Sequence, residues 1–151
     1  MRDTSGVKGR TSKRRLILRT LDFVIGGIFI YAGVLKAIEP VRFASDIENY
    51  HIVPWPLGVG LAFYLPWLEI FCGLALVARR LYPGAVTILI ALNLLFIGAT
   101  LAAKLRGIDL SCGCFGSASN NLGFTSHLAL DLAILAALII LWRRASSASE
   151  Q

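Results

Sequence analysis

Cys112-Gly113-Cys114 is the pair of residues in this chain best suited to covalent chemistry. A disulfide needs Cα atoms about 4.4–6.8 Å apart. Residues two apart reach that range only if the backbone bends, and Gly113 lets it bend because it carries no Cβ. The small ring that results is strained. Strain makes a disulfide easier to reduce, which suits thiol exchange better than a structural staple. A staple here would also gain little, because the loop it closes is minimal. Three other readings stay open: reduced and inert thiols, a local disulfide that only shapes its loop, or zinc ligation. Zinc normally takes four ligands with pairs spaced more widely, so Cys112, Cys114, His127 and Asp109 would need a special geometry to share it. Cys72, the third cysteine, sits within an apolar run and reads most simply as a small buried residue.

Next come the polar residues set among apolar ones. Counted from Leu57, Glu69 lies about 18 Å along a helix, near the middle of a bilayer. A charged carboxylate there costs at least about 2.5 kcal/mol, so Glu69 is expected to face the interior, protonated or paired. Pro66 and Cys72 share its face, and Pro66 frees a backbone carbonyl one turn earlier. Asp131 and Asn93 are the other interior polar candidates. Lys36 is expected at the outer end of the first span, from where it can snorkel to the surface. Two roles remain for Glu69 and Asp131: relaying protons or holding a polar head group, or bonding between helices to fix packing. His127, near the cysteine segment, could depress a thiol pKa or serve as a plain interface residue.

These residues need a membrane scaffold to position them. Of the 151 residues, 56% are hydrophobic and 16% charged, against about 45–50% and about 25% in soluble domains. The mean hydropathy is +0.70. Apolar runs at about 16–36, 57–78, 81–103 and 122–142 each approach the roughly 20 residues that cross a bilayer. They are continuous rather than alternating, which excludes transmembrane strands. The expected fold is all-α, a four-helix membrane bundle. The net charge is +6, but the basic residues sit at the ends of apolar runs and no nucleic-acid signature accompanies them.

Lys and Arg set the orientation. Arg2, Lys8, Arg10, Lys13, Arg14, Arg15, Arg19, Arg79, Arg80, Arg143 and Arg144 fall on one side, and only Lys36, Arg42, Lys104 and Arg106 on the other. Both termini are therefore expected in the cytoplasm, with loops 36–56 and 104–121 facing outward. Trp55, Trp67, Tyr82 and Trp142 lie near span ends, Trp67 the deepest. Residues 1–15 and 145–151 are polar and read as disordered tails. Lys13-Arg14-Arg15 ahead of an apolar stretch reads as a basic flank holding the first helix inside, since no small-residue cleavage site follows. The outward loops are too short for a soluble domain of about 50 residues or more, so any chemistry belongs to the bundle or its rim.

Several motifs together carry a resemblance. Phe29-Ile30-Tyr31-Ala32-Gly33-Val34-Leu35-Lys36 is followed by Pro40, Phe43, Tyr50 and Pro54. Then come Leu65-Pro66-Trp67-Leu68-Glu69 with Gly73, and Cys112-Gly113-Cys114-Phe115-Gly116. In this order they resemble the MauE (methylamine utilisation) family within the wider DoxX-like membrane proteins, over about residues 20–142. The resemblance implies a four-helix protein of the bacterial inner membrane, associated with periplasmic thiol chemistry and thioredoxin-like partners. Its carry-over reaches Cys112, Cys114, Glu69 and Lys36.

The expected function is membrane-embedded thiol–disulfide exchange through Cys112 and Cys114, with a periplasmic thioredoxin-like protein or a maturing substrate as partner. A quinone near Glu69 is a further possible electron carrier. The rival reading is a small accessory or assembly subunit of a larger membrane complex, with a structural cysteine loop. A solute transporter fits less well, for want of polar lining and a broken-helix pair.

Overall fold

The computed structural model describes residues 5–49, 53–105 and 124–149. Among them every element is an α-helix: α1 (Ser5–Ile38), α2 (Pro40–Asn49), α3 (Trp55–Ala78), α4 (Tyr82–Leu105) and α5 (Phe124–Ser149). Four stretches are long and apolar enough to cross a membrane: Leu16–Ile38, Trp55–Ala78, Tyr82–Ala102 and Thr125–Ala145. They fall within a few residues of the expected spans, because uncharged length is what both the bilayer and the reading select.

Two expectations change. The stretches read as disordered tails are largely helical, since α1 starts at Ser5 and α5 runs to Ser149. Once a long helix is nucleated, each further residue adds a hydrogen bond at little cost, and no proline stops it at either place. The loop 36–56, expected to face outward, also contains a helix, α2. Pro40 opens it, where a missing N–H costs nothing. Its apolar face buries Phe43 and Ala44 against α3 and α1.

The closest pairing is α1 with α3, and α4 packs mainly on α5. Small residues make the first approach possible. A Cβ on Gly26 would stand 2.8 Å from the Gly73 carbonyl oxygen, and one on Gly33 would stand 2.7 Å from the Pro66 carbonyl oxygen. No side chain fits at such distances, so the two backbones pack directly against each other. Leu76, Val86, Leu89, Leu138 and Leu141 fill the interior. Phe63, Tyr64, Phe71, Leu94, Leu95 and Ile140 point outward, as lipid-facing side chains do. Trp67, deep for an interfacial residue, joins them on that surface, its ring tilted on Phe71 with centroids 6.3 Å apart.

The turn from α3 to α4 is tight. Arg79 N–H donates to Leu76 O and Arg80 N–H to Ala75 O, which satisfies the last helical carbonyls. Arg79 takes the left-handed conformation, with φ 54°, a place usually held by glycine. Its side chain explains the choice. Nε and Nη2 donate to Asp22 Oδ2 at 2.9 and 2.6 Å, and Tyr82 Oη donates to Asp22 Oδ1 at 2.7 Å. This joint ties the start of the first span to the α3–α4 turn. Leu18, Arg79, Tyr82, Leu141 and Arg144 line one hollow there, so the N-terminal part of α1 and the C-terminal part of α5 share this end. The charge rule assigns it to the cytoplasm.

Candidate functional site

The interior polar site is built where α1 and α3 are closest. Lys36 Nζ lies 2.7 Å from Glu69 Oε1 and 2.9 Å from Oε2. Both residues are buried, at 3% and 0% exposure. Glu69 is thus interior and paired, as its depth required. Lys36, which could have snorkelled from the end of its span, turns inward instead. Gly33, one turn before it, lets α1 close on Pro66 and Glu69. From there the lysine stem points inward, and reaching the carboxylate satisfies both charges at once. Two aromatic faces complete its surroundings, with Nζ 4.2 Å from the Phe96 ring centroid and 5.5 Å from that of Phe43. Ring faces carry partial negative charge and stabilise a desolvated ammonium.

Such a pair does not by itself make the bundle more stable. Desolvating two ions offsets most of their attraction. Deleting one partner is the costly change, because it strands the other charge.

Asn93 on α4 and Asp131 on α5 join the same site. With Lys36, Glu69, Phe96 and Ile134, they line a small cavity. His127 is half-buried one turn before Asp131 and within electrostatic reach of it. Cys72 lies one turn after Glu69 on α3, buried with a free thiol. The structure thus brings together Lys36, Glu69 and Asp131, with His127 beside them. Cys112 and Cys114, and Asp109 of the zinc alternative, lie outside the described residues. Among the described residues, no group of three or more His, Cys, Asp or Glu side chains is placed to hold a metal ion.

Sequence reasoning missed the Asp22–Arg79–Tyr82 joint. Asp22 sits near the N-terminal end of an apolar run, opposite Arg79 in a chain that must turn back on itself. That opposition was the available signal. The Lys36–Glu69 contact was also missed as a pair, although both residues were singled out.

Comparison with known proteins gives a family for the chain. The family described as methylamine utilisation protein MauE matches residues 14–144. A methylamine utilization protein MauE of Methylophilus methylotrophus is 33% identical over 84 residues, which is 55% of this chain and 44% of that protein. The chain therefore aligns with less than half the length of that relative. No solved structure matches. The family match covers all four membrane spans, including Lys36, Glu69, Cys112, Cys114 and Asp131, and the chain belongs to the MauE family.

Proposed function

We propose that this protein is a thiol–disulfide exchanger of the bacterial inner membrane, working through Cys112 and Cys114 on the periplasmic side. One cysteine thiolate attacks a disulfide of the partner, forms a mixed disulfide and releases a partner thiolate. The second cysteine then attacks the mixed bond. The net result is a Cys112–Cys114 disulfide and a reduced partner, with two electrons and two protons transferred. The reverse sequence oxidises the partner. The partner class is a periplasmic thioredoxin-like protein or a disulfide-containing protein during maturation. The name of the Methylophilus relative suggests a setting in methylamine utilisation. A wider kinship with DoxX-like proteins belongs to the same proposal.

The observation that carries this reading is the place of the motif in the chain. Cys-Gly-Cys lies in the connection between Leu105, where α4 ends, and Phe124, where α5 begins. Those helix ends lie at the end of the bundle opposite the Asp22–Arg79 joint, on the side the charge rule assigns to the periplasm. Disulfides persist in that compartment. Lys36 and Glu69 act as positioning residues, holding the outer half of α1 and α3 in register. His127 and Asp131 stand on the helix that follows the cysteines. A quinone taking or giving electrons near Glu69 extends the same proposal.

Cys112→Ser and Cys114→Ser variants test it. One of them should trap a mixed disulfide with a periplasmic protein, visible as a reducible high-mass band whose partner mass spectrometry identifies. If neither variant traps any partner, under oxidising or reducing growth, the exchange reading fails.

A further inference from the structure

A cavity of about 20 Å³ lies between α1, α3, α4 and α5, lined by Lys36, Glu69, Asn93, Phe96, Asp131 and Ile134 among others. That is room for about one water molecule. Two buried oxygen atoms of these lining residues have no hydrogen-bond partner, Asn93 Oδ1 and Asp131 Oδ2. Their residues are only 2% and 4% exposed. A buried acceptor left without a donor costs on the order of 1–3 kcal/mol, and two orphans in one small cavity are a strong demand for donors.

The donors can be counted. Lys36 has three N–H groups, and its two close oxygen contacts are both on Glu69. A water molecule donates two hydrogen bonds and accepts up to two. One water therefore closes the account: it donates to Asn93 Oδ1 and to Asp131 Oδ2, and accepts from the ammonium. Replacing it with a small metal cation would set a positive charge beside Lys36, which that ammonium opposes.

We propose that this cavity is a built hydration site holding one ordered water, which joins Asn93 and Asp131 to the Lys36–Glu69 pair. The water makes the four polar side chains one hydrogen-bonded unit with a member on each membrane span. It also explains why Asp131 can be buried on α5, the helix that makes few direct contacts with α1. This site stands on the cavity and its orphaned oxygens, whether or not the cysteines exchange disulfides.

Water-edited solid-state NMR on the isotope-labelled full chain in lipid bilayers tests it, with water itself as the probe. Magnetisation from water should reach Asn93 Cγ and Asp131 Cγ at short mixing times, while the side chains of Leu89 and Leu138, buried on the same helices but not lining the cavity, stay dark. In Asn93→Leu, which removes one acceptor and fills the space, transfer to Asp131 Cγ should be lost. No transfer to Asn93 and Asp131 in the unmodified protein would overturn the proposal. So would equal transfer along the whole inner faces of α4 and α5, which would mean an open aqueous channel. Unchanged transfer to Asp131 in Asn93→Leu would refute the bridge.

Discussion

Lys36 and Glu69 show how two costly residues can share one solution. Each charge alone would be expensive at this depth; together, against two aromatic faces, they are tolerated. The asymmetry yields a prediction. Lys36→Met leaves the Glu69 carboxylate without its ammonium and should cost about 3–5 kcal/mol. Lys36→Met combined with Glu69→Leu removes both charges and should recover most of that loss. Thermal unfolding in detergent or nanodiscs reads both; a double variant no more stable than the single one would show that the pair does not set the cost. Arg79 poses a different balance. Arg79→Gly relieves a left-handed residue, worth about 1 kcal/mol, but strips two donors from the buried Asp22. The Arg79 side chain is 46% exposed, so solvent screens part of its attraction and lowers the net effect. The expected outcome is a net loss of about 1–2 kcal/mol; a gain in melting temperature would mean that backbone strain outweighs the joint.

Helix packing explains where these residues meet. Gly26, Gly33 and Gly73 bring α1 and α3 within backbone contact, and Gly33 does so beside Pro66 and Glu69. Gly33→Ala places a methyl group against the Pro66 carbonyl, which has no freedom to retreat inside a helix. It should push α1 away, lengthen the Lys36–Glu69 contact and lower the melting temperature, whereas Gly27→Ala, which meets nothing within 4 Å, should be neutral. Equal effects at the two positions would contradict the packing account. At this scale the sequence was informative about the spans, because a run of some 20 apolar residues has few other uses. It was less informative about α2. Val41, Phe43, Ala44 and Ile47 do recur at helical spacing, but over ten residues that signal is easily taken for a loop. Lys36 was ambiguous for a physical reason: a four-carbon stem at a helix end can turn to water or to a buried acid, and only the position of Glu69 on a neighbouring helix decides. The Cys-Gly-Cys motif was plain in the sequence, and its reading rests on spacing and chain position.

For the whole molecule, four antiparallel spans place the start of α1 and the end of α5 at one end, and the end of α4 and the start of α5 at the other. Arginines cluster at the first end, around the Asp22–Arg79 joint, while α2 packs across the second beside Lys36. The bundle is thus polarised, with a basic end and an end from which, by chain order, the cysteine segment leaves α4. The central claim is that this segment faces the periplasm and cycles between dithiol and disulfide. A membrane-impermeant maleimide applied to intact spheroplasts, before and after mild reduction, tests it most directly. The account predicts that Cys112 and Cys114 label only after reduction, while the buried Cys72 stays unlabelled throughout. Labelling of Cys112 and Cys114 without reduction, with no oxidised form under any growth condition, or labelling only after the cells are permeabilised, would contradict it.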